Sequence, residues 1–240
     1  MRTLVAPLEE ATMMFSLQNA IDQANHVCFM TGAGVSTASG IPDFRSPTGI
    51  YSQHPEYSLS ADNLRDHPAA FHDFMIHHMY YPQAQPNIIH RQMAAITNRK
   101  GTVVTQNIDG LDRQAGTKHL VEFHGNEYDL YCTQCGQPFT LAEYQQSYIH
   151  QTDHGLIRPR IVLYGEPIDE QVVQAAIQAI TAADLIVVVG TSLAVYPFAG
   201  LIQYAGANAV IAAVNRTPLP LPAGGHMIIG DATEVFAALQ

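Results

Sequence analysis

Residues 32–45 read GAGVSTASGIPDFR and directly follow the apolar run HVCFMT at residues 26–31. An apolar run of this kind predicts a buried strand. The small residues after it let the backbone approach a ligand closely, and a following helical turn would direct its free N–H groups and positive dipole end at an anion. The stretch therefore predicts a site for a dinucleotide pyrophosphate at the end of the first strand.

Apolar runs and amphipathic segments alternate along the rest of the chain. Strands are predicted at residues 26–31, 102–105, 120–123, 161–164, 184–189, 209–214 and 226–229. Helices are predicted at residues 12–25, 68–80, 86–99, 169–182, 197–205 and 231–239. This alternation predicts an α/β fold with a Rossmann-like, doubly wound parallel sheet. Because such sheets bind ligands at the carboxyl ends of their strands, we expect one crevice to be lined by Gly32, Gln106, His124, Gly190 and Asn215.

Two segments interrupt this alternation. Residues 46–85 are rich in Pro, His and Tyr, and residues 126–160 contain two cysteines and a polar run. We therefore expect a small inserted module made of these two segments, with helices and a zinc-ribbon-like part. The discontinuous Rossmann-like NAD-binding domain would then comprise residues 1–45, 86–125 and 161–240.

Composition narrows the class of protein. The 240 residues are 47% hydrophobic and carry a net charge of −10, which suits a globular protein and argues against nucleic acid as a direct partner. No stretch approaches the ~20 apolar residues of a membrane span, and residues 1–10 do not resemble a secretory signal. Three cysteines do not make a disulfide framework. A cytoplasmic location without membrane attachment is expected.

The glycine turn matches the ordinary Rossmann fingerprint poorly. That pattern has a third glycine where Thr37 stands, and an acidic residue about 20 positions further on. A hydride-transferring dehydrogenase is therefore the least favoured function. Residues 40–45 combine an acid, an aromatic ring and a base without apolar periodicity, which is typical of lids and ligand-contacting loops.

Residues 32–45 also resemble the signature of the sirtuins, the NAD-dependent protein deacylases. Three further stretches fit the same family in the same order: TQNIDGL at residues 105–111, HG at 124–125 and GTSL at 190–193. The resemblance extends from about residue 12 to residue 240. It implies an NAD-dependent protein-lysine deacylase, in the simplest case a deacetylase, that transfers the acyl group to ADP-ribose and releases nicotinamide. Its partners would be acyl-lysine proteins, and NAD would be its co-substrate.

The resemblance assigns roles to individual residues. His124 matches the catalytic histidine, and the unperturbed imidazole pKa of ~6.5 suits a general base near neutral pH. Asn107 and Asp109 match residues around the nicotinamide and its ribose and complete the catalytic set. The implied cofactor-binding residues are Gly32, Ala33, Gly34, Ser36, Asp43, Phe44, Arg45, Gln106, Asn107, Ile108, Asp109, Gly190, Thr191, Ser192, Asn215 and Ala232. Main-chain clasping of the substrate peptide is implied for Tyr164, Gly165, Glu166, Leu193, Val195 and Tyr196.

The cysteines resemble half of a zinc site. Cys132 and Cys135 match the first of two Cys-x-x-Cys pairs that hold a structural zinc in many sirtuins. The second pair is missing, and its positions fall near His150 and Asp153, at a spacing close to that of a zinc ribbon. Two alternatives stay open: zinc held by both cysteines, His150 and either Asp153 or His154, or a module that has lost its metal and folds by packing alone.

Acyl preference follows from two positions before the Pro-Asn turn. His72 and Met75 stand where sirtuins that remove succinyl or malonyl groups carry a Tyr-x-x-Arg pair. An acidic acyl chain would lack its cationic partner here, so we expect acetyl or longer apolar acyl groups. Nearby, Asp112 stands where many sirtuins have histidine, and the sequence offers no physical reason for that change.

Two other functions stay open within the resemblance. One is a mono-ADP-ribosyltransferase, which His124 argues against because that reaction needs no base for a ribose hydroxyl. The other is a non-catalytic NAD-sensing module, which the presence of Asn107, Asp109 and His124 together argues against.

Overall fold

The computed structural model describes residues 15–240, which are organised around two sheets. The strands in this part of the chain are β1 Val27–Thr31, β2 Gly101–Thr105, β3 Leu120–Glu122, β4 Gly125–Cys132, β5 Pro138–Phe139, β6 Ile157–Ile161, β7 Leu185–Val189, β8 Val210–Asn215 and β9 His226–Ile229. Six strands form a parallel sheet in the order β3-β2-β1-β7-β8-β9, and the others form an antiparallel sheet in the order β5-β4-β6. The parallel α/β sheet predicted from the sequence is confirmed.

Helices cover both faces of the parallel sheet. The α-helices of the same residues are α1 Leu17–Gln23, α2 Ala61–Asp66, α3 Pro68–His78, α4 Ile88–Lys100, α5 Leu111–Gln114, α6 Leu141–Gln146, α7 Glu170–Ala182 and α8 Ala232–Ala237. On one face, Ile21, Met93 and Phe236 pack into one core, and on the other Ile180 and Phe198 pack into a second. β1 and β7 are therefore buried at every position, as central strands covered on both faces must be.

The antiparallel sheet lies within a third core. β4 pairs with β6 from Gly125 opposite Ile161 to Cys132 opposite Ile157. Helices α2, α3 and α6 contribute side chains to this core, among them the fully buried Phe71, Met75 and Tyr144. Burial of these large apolar side chains gives the small module a hydrophobic core of its own.

The strand predicted at residues 161–164 is wrong. Ile161 is the last residue of β6 and pairs with Gly125 in the antiparallel sheet, so this segment does not return the chain to the parallel sheet. An apolar run alone cannot show which sheet its backbone will pair with, because pairing is decided by the neighbouring strand.

Helix limits also differ from the sequence predictions. The predicted helix at residues 197–205 is a 3₁₀ helix, Phe198–Tyr204. Helix α4 begins at Ile88 instead of at Pro86, because the Asn87 side chain accepts from the backbone N–H of Ile89 and caps the helix. The helix predicted at residues 12–25 is observed as α1, and residues 12–14 lie outside the described part of the chain. No helix within residues 15–240 combines the length and apolar character needed to cross a bilayer.

Candidate active site

A cleft with a volume of about 970 Å³ opens at the carboxyl ends of the parallel strands. The predicted site residues that line it are Gly32, Ala33, Gly34, Asp43, Phe44, Arg45, Gln106, Asn107, Ile108, His124, Tyr164, Gly165, Glu166, Gly190, Thr191, Ser192, Val195, Tyr196, Asn215 and Ala232. The predicted residues Ser36, Asp109 and Leu193 are not part of its lining. The fold therefore brings together segments that are up to two hundred residues apart in the sequence.

Two glycine turns meet at the end of β1 and β7. The backbone N–H of Gly34 donates to the carbonyl of Gly190 at 2.8 Å. A Cβ on Gly34 would lie 2.6 Å from that oxygen, and Gly190 has a φ of +58°. Glycine is therefore required at both positions, for close approach at Gly34 and additionally for backbone conformation at Gly190. This close packing leaves backbone surface at the cleft, as a pyrophosphate site needs.

The chain after Gly32 forms two short 3₁₀ helices instead of an α-helix. They span Ala33–Val35 and Thr37–Ser39 and end at Gly40, which has a φ of +87°. Asn87 holds this segment from below, since its side-chain amide donates to the carbonyl of Val35 at 2.7 Å and to the Ser39 hydroxyl at 2.9 Å. Asn87 was not among the predicted site residues, although an Asn before a helix is a recognisable cap.

A chain of hydrogen bonds runs from Asn107, which lines the cleft, through Ser36 to Asp109, neither of which lines it. The Asn107 amide donates to the carbonyl of Gly32 and to the Ser36 hydroxyl, both at 3.2 Å. That hydroxyl donates to Asp109 Oδ2 at 2.6 Å, while Oδ1 accepts from the backbone N–H of Leu111 at 2.9 Å. Burial raises the pKa of Asp109, and these two hydrogen bonds oppose the rise. Ser36 thus orients Asp109 in this structure instead of facing the cleft.

His124 follows β3 and carries the only imidazole among the cleft-lining residues. Its Nδ1 lies 3.2 Å from the carbonyl oxygen of Gln106, so the neutral ring carries its proton on Nδ1. The other nitrogen, Nε2, is then the basic one. Burial lowers the pKa of His124 below its ordinary value, and the Gln106 hydrogen bond opposes that shift. The ring is therefore neutral near pH 7 and can accept a proton, as a general base must.

Thr191 joins two strand ends. Its hydroxyl accepts from the Gln106 side-chain amide at 2.9 Å and from the backbone N–H of Leu193 at 3.2 Å. Leu193 packs into the core below instead of lining the cleft. At the far end of the cleft, the Asn215 amide donates to the carbonyl of Thr217 at 3.0 Å. These contacts fix the lining side chains before any ligand is bound.

Except for Leu193, the residues predicted to clasp a peptide line the cleft. Tyr164 already pairs through its backbone with one neighbouring segment, since its N–H donates to the carbonyl of Leu59 at 3.0 Å and its carbonyl accepts from Ala61 at 2.9 Å. Tyr196 is 74% exposed. Edge backbone beside an exposed ring is the kind of surface to which an extended peptide can add.

The Glu166 side chain pairs with a buried arginine, whereas the peptide contact predicted for this residue is a main-chain one. Its two carboxylate oxygens accept from Arg158 at 2.5 and 3.0 Å, and Oε2 also accepts from the backbone N–H of Leu163 at 2.9 Å. Arg158 is 7% exposed. The pair therefore ties β6 of the small module to the loop at the cleft mouth. Arg158 was not among the predicted residues, because nothing in the local sequence indicates with which carboxylate it forms an ion pair.

Arg45 is held by hydrogen bonds on the side of the cleft that Tyr164 lines. Its Nη2 donates to Glu56 at 2.7 Å and to the Tyr164 hydroxyl at 2.9 Å, and the Tyr51 hydroxyl donates to the same Tyr164 oxygen at 3.3 Å. Tyr51 lines the cleft although the sequence did not predict it. Aromatic residues in an irregular segment carry no signal that would have identified it.

Four predicted metal ligands meet in the small module. One ligand atom from each of Cys132, Cys135, His150 and Asp153 lies within 4.8 Å of all the others. His150 Nδ1 is 2.9 Å from Asp153 Oδ1 and 3.6 Å from the Cys135 sulfur. This Cys₂HisAsp set has the number and type of ligands that tetrahedral zinc takes. Within residues 15–240, His154 is not part of this group.

His72 and Met75 do not line the cleft. His72 Nε2 lies 2.7 Å from the carbonyl oxygen of Tyr144, and Met75 is fully buried in the core of the small module. Neither side chain can therefore present a cation to a bound acyl group.

The fold and the site define a class of enzyme: a parallel α/β domain with a dinucleotide cleft formed by paired glycine turns and a neutral histidine beside it. Residues 32–197 match the family model described as "Sir2 family", and the chain belongs to this family. The resemblance found in the sequence is confirmed.

Curated relatives are similar over nearly their whole length. An NAD-dependent protein deacetylase from Lactiplantibacillus plantarum is 50% identical over 226 residues, covering 93% of this chain and 97% of the relative. One from Listeria innocua is 48% identical over 229 residues, covering 94% and 100%.

Solved structures show the same fold. A Sir2 enzyme with a deacetylated peptide and 3'-O-acetyl ADP-ribose matches with a TM-score of 0.84 at 31% identity, covering 92% of this chain and 94% of that one. A Sir2 enzyme bound to a propionylated peptide matches with a TM-score of 0.81 at 31% identity, covering 91% and 93%.

Proposed function

We propose that this protein is an NAD-dependent protein-lysine deacylase that transfers the acyl group to ADP-ribose. The observation that carries the proposal is the His124 imidazole, which is held neutral with Nε2 free to accept a proton, in the same cleft as the two glycine turns. Relatives about half identical to this chain are NAD-dependent protein deacetylases. Acyl-lysine proteins are the proposed substrates.

Residues at the turns fit NAD. The two glycine turns pack so closely that a Cβ on Gly34 would clash with the Gly190 backbone, and both turns line the cleft. The Asn107 amide, held beside the Gly32 carbonyl, can bond a carboxamide. When bound, NAD supplies an activated anomeric carbon that takes the acyl oxygen of lysine as nicotinamide leaves. Asp109, oriented by Ser36, is placed to stabilise positive charge that develops on that side of the cleft.

His124 then acts as general base. Its Nε2 accepts the proton of a ribose hydroxyl, which makes that oxygen nucleophilic toward the acyl carbon. The hydrogen bond between Nδ1 and the carbonyl of Gln106 holds the tautomer that leaves Nε2 unprotonated. Phe44, which lines the cleft, is the proposed cover that excludes water during this step.

The test is mass spectrometry of an acetyl-lysine peptide incubated with NAD and either wild type, His124→Ala or His77→Ala. His77 is the matched control, because its side chain is 62% exposed and outside the cleft. NAD-dependent loss of acetyl with formation of O-acetyl-ADP-ribose is expected in wild type and His77→Ala only. ADP-ribose attached to protein would instead indicate an ADP-ribosyltransferase. NAD binding without any turnover would indicate a sensing module.

Acyl preference is the finer part of the proposal. We propose that the enzyme prefers acetyl and longer apolar acyl chains. His72 hydrogen-bonds to the carbonyl of Tyr144 and Met75 is buried in the core of the small module, so neither offers a cation to an acidic acyl chain. Acetyl, propionyl and succinyl peptides of one sequence compare the classes directly. Turnover of the succinyl peptide at the rate of the acetyl peptide would contradict this preference.

We further propose that Cys132, Cys135, His150 and Asp153 hold a structural zinc ion. Metal analysis of the purified protein is expected to show one zinc per chain in wild type and in His154→Ala, and little in Cys132→Ser. Equal zinc loss in His154→Ala would show that His154 is the ligand in place of Asp153. A cytoplasmic location and the division into two discontinuous domains stay predictions.

A further inference from the structure

Two acidic side chains that the proposed mechanism does not use are buried beside Asp109. Asp112 of α5 is 3% exposed and Glu127 of β4 is 1% exposed. Asp112 Oδ1 and Glu127 Oε2 have no hydrogen-bond partner among the described residues. An ionised carboxylate is costly to bury without a partner, so these two acids need an explanation.

We call Asp109, Asp112 and Glu127 the carboxyl cluster. No cationic side chain among the described residues pairs with it. Within residues 15–240, none of the three forms an ion pair with arginine, lysine or histidine. Arg113, which shares α5 with Asp112, is paired instead with Glu122 and Asp129. The cluster therefore carries unbalanced negative charge whenever it is fully ionised.

The titratable groups that face the cluster are an acid and three phenols, and the Thr105 hydroxyl hydrogen-bonds to Asp112. Besides burial, the negative charges of Asp109 and of Glu122 in β3 both raise the pKa of Asp112. The phenols facing Glu127 are Tyr80, Tyr81 and Tyr128. Burial first, and then the neighbouring carboxylates, raise the pKa of Asp112 to about 7. Burial first, and then Asp109, raise the pKa of Glu127 well above its ordinary value.

We propose that Asp112 and Glu127 are positioning residues that hold protons in the free enzyme and release one to solvent when the cationic nicotinamide ring of NAD lies beside Asp109. The inference rests on the proposed function, in which the Asn107 amide bonds the carboxamide and Asp109, joined to Asn107 through the Ser36 hydroxyl, stabilises positive charge on that side of the cleft. A cation next to buried carboxyls favours their ionised form. The O–H bond of one carboxyl then breaks, the electron pair stays on the carboxylate, and the proton passes to water or buffer.

This linkage couples cofactor charge to the charge of the site. The released proton leaves a carboxylate that faces the cation, so the oxidised, cationic cofactor is favoured over neutral or ring-free analogues. The affinity for NAD must then rise with pH below about 7, by up to about tenfold per pH unit for one linked proton. Asp112 and Glu127 between them supply the released proton, since both are buried and each has a carboxyl oxygen without a hydrogen-bond partner among the described residues.

The test is calorimetry of ligand binding to the full chain at pH 7 in buffers of different ionisation enthalpy. NAD is expected to release between about half a proton and one proton from wild type, while NADH and ADP-ribose, which lack the cationic ring, release clearly less. Asp112→Asn removes the titrating carboxyl and keeps its shape, and Glu127→Gln does the same on β4. Proton release on NAD binding is expected to fall in both variants.

The possible results distinguish failure of this inference from failure of the proposed function. Equal proton release with NAD and NADH, or unchanged release in Asp112→Asn and Glu127→Gln, overturns the inference and leaves the proposed function standing. Failure of NAD to bind wild type overturns the proposed function itself. The comparison of NAD with NADH needs no variant, so the inference stays testable if a substitution prevents folding.

Discussion

Replacing Gly34 with alanine tests whether contact between the two glycine turns builds the cofactor site. The new Cβ would lie 2.6 Å from the carbonyl oxygen of Gly190 and 2.9 Å from its Cα. Ordinary contacts begin at 3.4 Å, so the turns must separate by roughly 0.8 Å. Both contacting atoms belong to backbone, which cannot move aside as a flexible side chain can.

The expected cost has two parts. Forced separation of packed backbone costs about 1–3 kcal/mol of unfolding free energy, which lowers the Tm by about 2–4 °C per kcal/mol in a protein of this size. Displaced N–H groups also lose bonds to the pyrophosphate, each worth about 1.5–3 kcal/mol. Loss of one such bond weakens NAD binding by about ten- to a hundredfold.

Gly40→Ala is the matched control. Gly40 has a φ of +87°, but a Cβ there would meet nothing within 4 Å. Strain from the left-handed conformation costs about 1–2 kcal/mol, so its Tm is expected to fall about as far as that of Gly34→Ala. Calorimetry should show NAD affinity changed in Gly34→Ala only. Wild-type NAD affinity in Gly34→Ala would refute the idea that this contact shapes the site.

Three other outcomes are expected. At saturating NAD, the acid limb of kcat should be centred below pH 6.5, because burial lowers the pKa of His124 and the base is lost when it is protonated; an acid limb centred above 6.5 would contradict this. Arg158→Met should destabilise the fold by about 1–3 kcal/mol, because Glu166 and the carbonyl of Ile161 lose their hydrogen bonds to the guanidinium, while Arg158→Met with Glu166→Gln should recover part of the loss in denaturant unfolding. Gly155→Ala places a Cβ 2.5 Å from the Cys132 sulfur, so its zinc should be removed by chelator faster than that of wild type, with the catalytic cleft unaltered.

The features that the sequence did not indicate share one cause. Ile161 was predicted to rejoin the parallel sheet, yet it pairs with Gly125 in the antiparallel sheet. The main-chain peptide contact of Glu166 stays a prediction, while the pairing of its carboxylate with Arg158 was not indicated by the sequence. In each case the sequence shows what a residue is able to do, while its partner is chosen by a segment distant in the chain.

Asp112 is a further residue whose environment could not be read from the sequence. Its difference from other sirtuins was visible in the sequence, but its consequence depends on burial beside Asp109 and Glu127, which only the folded chain creates. Likewise, His150 and Asp153 were placed near the cysteines by counting residues, and the fold brings their ligand atoms within 4.8 Å of one another.

The sequence by itself determined the parallel α/β fold, the strand ends that line the cleft, and the family. These follow from local patterns, since apolar runs, glycine turns and short motifs act on the chain near them. The tertiary structure alone decided that Ser36 orients Asp109, that Gly34 must pass Gly190 without a Cβ, and that Arg158 holds Glu166. Hydrogen bonding, close packing and desolvation depend on distances between remote segments, and those distances exist only once the chain has folded.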